Sequence, residues 1–180
     1  MHPSAPAAQL VDMLEIRPLS VDCLATARYV IASAIKRHAA AAYTQAQLHA
    51  LMDFVQSPHY SDLLYAGRSY GAFIGAEMVA VASWSASAAP SPTARLIGVF
   101  VQPLFGASGI GARLLAHIEE EARAAGFRAL DIGALPGAVG FLEASGYQQI
   151  GPRPLGLPSG QQIPVVEMRK LGLARHTVMH

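Results

Sequence analysis

Residues Phe105 to Leu115 read FGASGIGARLL, with Gly106, Gly109 and Gly111 inside six positions directly ahead of an apolar pattern of helical spacing. Glycine lets a backbone approach a ligand closely, and the free N–H groups and positive dipole end of a helix start attract anions. The chemistry this spacing suits is the holding of a phosphate-bearing ligand. What the loop lacks narrows the choice. Gly106 and Gly111 have the outer spacing of a nucleotide P-loop, but Ala112 and Arg113 stand where Lys and Ser or Thr would hold terminal phosphates and magnesium. A dinucleotide fingerprint would use Gly109 and Gly111, and Asp131 follows at a suitable distance, yet Leu114 fills the third glycine position. The chain that remains is also too short for the rest of a doubly wound sheet. Ser108 is no nucleophile elbow, because Ile110 occupies the second glycine position of G-x-S-x-G.

Other reactive side chains form weaker patterns. His117 and Glu121 are one helical turn apart, but two ligands without a third do not make a metal centre, and none is expected. Cys23 is the single cysteine, so it can form neither an internal disulfide nor a cysteine zinc site, and its place in an apolar helical pattern suggests core. Trp84 closes a strand pattern, where it serves either the core or the wall of an acceptor pocket. The remaining histidines, His38, His49 and His59 among them, have no useful spacing.

The elements that must position the loop follow from pattern and punctuation. A Pro/Ala-rich lead-in covers residues 1–12, a single domain covers 13–172 and a tail covers 173–180. Leu14 to Leu19 reads as a strand; Ser20 and Thr44 are helix caps before two apolar-periodic stretches. Ser69 to Ile74 and Met78 to Ser85 read as a hairpin broken at Gly75-Ala76-Glu77, and residues 94–101 as the strand that runs into the glycine loop. A helix from Gly109 to Gly126 is followed by strand 128–132, helix 136–145, strand 147–151, a loop at 152–161 and a last strand, 163–170. The order is that of a mixed α/β (α+β) domain: a central sheet of six to seven strands, about four helices, and a meander feeding one βαβ unit.

Composition limits the partners. Lysine and arginine total 13 against 12 acids, and no run gathers them into a basic stripe, so nucleic acid is not expected. Tyr70 to Ala89 carries one charge, Glu77, and has the length of a membrane span, but its β-branched and aromatic residues around a glycine turn suit a hairpin, and no membrane partner is expected. The sequence starts without a charged region leading into an apolar block, which makes the cytoplasm the expected location. Monomer and homodimer remain open.

Read together, IGVFVQPLFGASGIGARLLAHIEEEARAAGF resembles the acetyl-CoA-binding signature of the GNAT-type N-acetyltransferase superfamily, with Gly109 and Gly111 in its glycine positions and Gly106 in place of its leading basic or amide residue. The stretch ALPGAVGFLEASGY is similar to the second family motif: Ala138, Phe141, Glu143 and Gly146 match, Tyr147 replaces a phenylalanine, and Leu135 and Leu142 replace Asn and Tyr. The resemblance implies a GNAT-like acyl-CoA transferase fold from Leu14 to Lys170 and acetyl-CoA, or another short acyl-CoA, as cofactor. It implies that Val99, Phe100 and Val101 offer backbone groups to the pantetheine arm. The N–H groups of Gly106, Ala107, Ser108, Gly109, Ile110, Gly111 and Ala112 would take the pyrophosphate, with Ala138 and Phe141 completing the cofactor site.

The implied activity is acetyl transfer to a primary amine of a small molecule or peptide by direct attack on the thioester; the alternative is a catalytically silent acyl-CoA-binding module. The family's usual acid is the tyrosine replaced by Leu142, and leucine gives no proton. Tyr43, Tyr65 and Tyr70 are the candidate substitutes, with Tyr43 preferred because it opens a helix that often walls the acceptor pocket in this fold. Water is left as the base, since residues 93–100 hold no glutamate. The acceptor pocket would be walled by residues 37–65 and the loop 152–162, with Trp84 a further candidate. Neither segment is strongly acidic, which favours an amphipathic or modestly charged amine over a polycation.

Overall fold

The computed structural model describes residues 5–87 and 89–173; residues 1–4 of the lead-in and 174–180 of the tail lie outside it. The lead-in contains a helix, α1 (Ala5–Asp12), which its alanines support. After β1 (Leu14–Pro18), a turn at Val21–Cys23 enters α2 (Leu24–Ala39), and α3 (Gln45–Gln56) and α4 (Pro58–Ala66) follow. Thr44 and Gln47 form a reciprocal capping box on α3, at 3.1 and 3.0 Å. The helix α4 is additional to the two expected here. Its signals are local: Pro58 in the first turn, Ser57 accepting from the Tyr60 N–H, and Gly67 at the end.

The hairpin β2 (Arg68–Ile74) and β3 (Glu77–Ser85) pairs as its sequence suggests, and among the described residues no helix is long and apolar enough to cross a membrane. The remaining elements are β4 (Thr93–Val101), α5 (Ile110–Ala124), β5 (Ala129–Ala134), α6 (Val139–Ala144), β6 (Gln148–Gly156) and β7 (Gln162–Leu171). The loop expected at 152–161 is largely strand. Here β6 continues through Pro152 and Pro154, residues an edge strand tolerates because their missing N–H would face outward.

All seven strands form one sheet in the order β1-β2-β3-β4-β5-β7-β6, antiparallel except for β4 beside β5. One face packs on α5, where Ile110, Leu114, Leu115, Ile118 and Ala122 form a continuous buried stripe. The other packs on α2 to α4, through Val30, Ile31, Ile35, Leu51, Val55 and Leu64. Each such aliphatic side chain contributes about 1.5–3 kcal/mol on leaving water. Met78 to Trp84 of β3 is buried at every position because helices cover it on both sides, which explains a run apolar but for Ser83, whose hydroxyl pairs with that of Ser69 at 2.7 Å. One open side-chain question is decided and one expectation changes. Trp84 is 1% exposed, edge-on to Phe127 at 5.7 Å, and so lies within the core rather than on a pocket wall. Cys23 is only half-buried, accepting from the Ser20 hydroxyl at 3.3 Å.

Candidate functional site

The parallel pair at the middle of the sheet comes apart early. Thr93, Ala94 and Arg95 pair with Ala129, Leu130 and Asp131, and there the pairing ends. Beyond that point β4 follows β3 to Val101 and β5 follows β7 to Ala134. A V-shaped gap therefore opens inside the sheet, with Leu96 to Val101 along one arm and, among the described residues, no strand on that edge. A bulge helps to open it: Ser83 faces Gly98 while Trp84 faces Leu96, so Ile97 is an extra residue that turns the strand. Unpaired strand edges within a fold expose N–H and C=O groups that demand partners.

The glycine loop closes the wide end of the V. Gln102 anchors its start, its side chain donating to the Met78 carbonyl at 2.6 Å and its N–H to Val79 at 2.8 Å. Ala107 and Gly109 adopt positive φ, 58° and 85°, and the Ser108 hydroxyl donates back to Phe105. The Gly106 N–H is engaged by the Pro103 carbonyl at 3.2 Å, which removes it from the expected set of anion donors. Among the described residues, the N–H groups of Gly109, Ile110, Gly111 and Ala112 have no acceptor, as the first turn of a helix requires, and those of Ala107 and Ser108 in the loop before it have none either. Together they gather donors at the N-terminus of α5, an arrangement that could hold an anion. A Cβ on Gly111 would lie 3.3 Å from Val101 and 3.4 Å from the Phe141 ring, so this glycine brings helix, strand and ring together. Ala138 and Phe141 are partly buried beside the same cluster as Val99 and Val101. Residues 107–112 and the open edge of β4 thus suit a ligand with a phosphate end and an amide-bearing arm.

The positions considered for proton transfer are scattered. Leu142 is fully buried. Tyr43 donates to the Pro164 carbonyl at 2.8 Å, joining the end of α2 to β7, and burial pushes its pKa up to about 12. Tyr70 lies on the α5 face, donating to Glu121 at 2.6 Å and edge-on to His117; burial, then the bond and charge of Glu121, raise its pKa to about 12 against the opposing effect of Arg68. That contact also accounts for the His117 and Glu121 pair. Tyr65 is half-exposed beside Pro18 and Leu19, in a shallow cleft of about 220 Å³.

The face of the V opposite α5 holds a group that the sequence reading passed over. Glu167 on β7 accepts from Arg95 of β4 at 2.9 Å and from Arg153 of β6 at 2.7 Å. Burial raises the Glu167 pKa, but the bonds and charges of both arginines outweigh it and hold the carboxyl below its ordinary value. Next to this triad, Arg169 makes a two-pronged bond to Asp131 at 2.6 and 2.7 Å. The available signal was the alternation Val165, Glu167, Arg169 along the last strand, which marks a half-solvated face. Apolar side chains continue the same face: Phe100, Leu135 and Leu155 border the core formed by α2 and α3. Gly137 lets α2 reach this wall, since a Cβ there would be 2.6 Å from the His38 carbonyl.

A mixed sheet split between its central parallel strands, with a glycine loop and helix at the mouth, defines an acyl-CoA-dependent acetyltransferase fold. The sequence confirms the class: the acetyltransferase (GNAT) family model matches residues 32–147, and the chain belongs to that family. Acetyl-CoA is the cofactor of the family. No curated protein matches the sequence closely. Solved structures share the fold at low identity. A GCN5-related N-acetyltransferase described as aminotransferase, class II, from Rhodopseudomonas palustris is 20% identical, with 87% of this chain and 94% of that one covered and a TM-score of 0.77. The PaiA N-acetyltransferase of Thermoplasma acidophilum, solved with coenzyme A, is 18% identical over 88% and 98% of the chains, with a TM-score of 0.60. An acetyltransferase from Staphylococcus epidermidis is 16% identical over 88% and 99%, with a TM-score of 0.63.

Proposed function

We propose that the protein transfers the acetyl group of acetyl-CoA to a primary amine of a small molecule or peptide, using the V as the reaction site. The observation that carries this reading is the end of β4–β5 pairing at Arg95 and Asp131, on the strand that leads into six N–H groups with no acceptor among the described residues. In this reading Ala107 to Ala112 hold the pyrophosphate, Val99 to Val101 offer backbone groups to the pantetheine arm, and Phe141 and Ala138 pack beside it. The amine nitrogen bonds to the thioester carbon, the carbon–sulfur bond breaks, the amine proton passes to water and the sulfur leaves as thiolate.

The backbone N–H of Val99, on the open edge of β4, stabilises the carbonyl oxygen as it gains charge, since the alternation set by Gln102 turns the Phe100 N–H toward β3. Leu142 supplies no proton to the sulfur. A thiol of pKa about 8.5 leaves tolerably as thiolate, so the absence of an acid slows the reaction without forbidding it. Tyr43 is the nearest substitute in concept, but its proton is already committed to the Pro164 carbonyl.

The burial of Leu142 at the family's tyrosine position favours a second reading, a silent acyl-CoA-binding module. A free-thiol assay across amino acids, peptides, polyamines and aminoglycosides separates the two. Amine-dependent release of CoA is expected; CoA binding without release for any acceptor class would leave the silent module.

A further inference from the structure

The acceptor side of the V carries chemistry of its own. Arg95 is the last β4 residue paired with β5, and its partner Asp131 shares a sheet face with Gly133 and Leu135, the face that packs on α2. Gly133 has no side chain on this face, and two guanidinium groups share the space with a methyl group of Val165, 3.2 Å from where a Cβ would stand. A Cβ at Gly133 would lie 2.7 Å from Arg153 Nη2 and 3.4 Å from Arg95 Nη2. Both arginines reach this point because Glu167 holds them from beneath, with both carboxylate oxygens engaged.

The triad carries a net positive charge, one carboxylate between two guanidinium groups, and the neighbouring Asp131–Arg169 pair is neutral. Arg153 bonds Glu167 through Nε alone. Among the described residues, Nη1 and Nη2 have no acceptor, and its side chain is 38% exposed. Beside it runs a groove of about 440 Å³ bounded by Pro152, Pro154, Pro164 and the buried Ile163. Phe100, Leu135 and Leu155 give the adjoining wall an apolar character.

We infer that Arg153, steadied by Glu167 and backed by Arg95, is the seat for a carboxylate on the acceptor, and that the acceptor is an amine bearing both a carboxylate and an apolar side chain. A planar guanidinium with two free N–H edges is the group best shaped for a carboxylate. The engaged carboxylate of Glu167 is spent on the arginines, so a polycationic amine finds no free counter-charge here. The inference rests on the reading of the V as an acyl-transfer site and gives it a substrate class.

The test uses the full chain with acetyl-CoA and two acceptors of equal size, phenylalanine and phenylalaninamide. The amide has the more readily uncharged amine, so a preference for the acid runs against intrinsic reactivity. The acid is expected to lead in kcat/KM by about tenfold or more, the range of a charged hydrogen bond. Arg153→Gln is expected to bring the ratio of acid to amide toward one, and Arg153→Lys to retain part of it. Gly133→Ala is a second route to the same loss, because it displaces the Arg153 guanidinium without changing charge. Melting curves and CoA calorimetry confirm that each variant is folded. An acid no better than the amide in the wild type, or a ratio unmoved by both Arg153→Gln and Gly133→Ala, overturns the inference. If no amine is acetylated, the acyl-transfer reading fails by itself, and calorimetry of the two acceptors on the CoA-bound protein decides this one. Tighter binding of the acid that Arg153→Gln abolishes supports the seat; equal binding, or none, overturns it.

Discussion

The two sides of the V are built from different materials. On the α5 side the proposed cofactor seat is almost all backbone: six N–H groups, a strand edge, and glycines that keep side chains away. On the α2 side the residues that matter are side chains, Arg95, Arg153, Glu167 and Phe100, brought from three strands, β4, β6 and β7. A backbone site can serve a constant ligand while the surrounding sequence drifts, because every residue supplies an N–H. A side-chain site defines the variable partner. The contrast suggests where substitutions will abolish binding and where they will redirect it.

The sharpest way to break the comparison is Gly109→Glu. It places bulk and negative charge in the anion seat, and is expected to weaken CoA binding by at least about a hundredfold. Gly109→Ala bears only the strain of a positive φ, about 1–2 kcal/mol, and separates folding from charge. If both variants bind CoA equally in calorimetry, the seat is elsewhere. Next in size is Leu142→Tyr, which places a ring and a hydroxyl at a fully buried position and is expected to cost about 1–3 kcal/mol in a denaturant melt. Faster transfer with an unchanged melt would instead show that the position opens to the thioester and that proton delivery had been limiting.

Tyr43→Phe removes one hydrogen bond between the end of α2 and β7, an expected loss of about 1 kcal/mol. A hundredfold fall in transfer rate without loss of stability would make that hydroxyl the proton donor after all. The smallest effect concerns pH. The folded Glu167 carboxyl holds its proton less tightly than the unfolded one, whose pKa is about 4.3. Its contribution to stability is therefore complete above that value and is lost as pH falls through the lower folded value. Glu167→Gln should flatten the loss of stability on acidification below about pH 4 relative to the wild type; identical acid melts would mean that the triad contributes nothing.

The same division decides what could be read from the chain. The glycine loop, the strand before it and the helix after it are contiguous, and each uses a residue type with one dominant physical reason to be there. The open edge of β4 was implied by resemblance, and its geometry appears only when the end of pairing at Arg95 is seen. Gly106 fitted the spacing of an anion donor, but its N–H turns back to Pro103, a detail of local turn geometry that composition does not carry. The acceptor side was legible only as segments, 37–65 and 152–162, and not as the ion-paired chemistry of Arg95, Arg153 and Glu167. Arg95 and Glu167 are 72 residues apart, and they meet only because β7 inserts between β5 and β6, an order that succession along the chain does not imply. Trp84 stayed undecided between core and pocket wall for a related reason: its place at the end of a strand says nothing about the Phe127 ring that seals it into the core.

The phosphate seat at the mouth of the V is tested most directly by calorimetry of the full chain with CoA and with pantetheine, which keeps the amide arm and thiol but has no phosphate. Binding of CoA that exceeds binding of pantetheine by about a hundredfold or more, and that is lost in Gly109→Glu, is the expected result. Equal affinity for the two, or no binding of either, would contradict it.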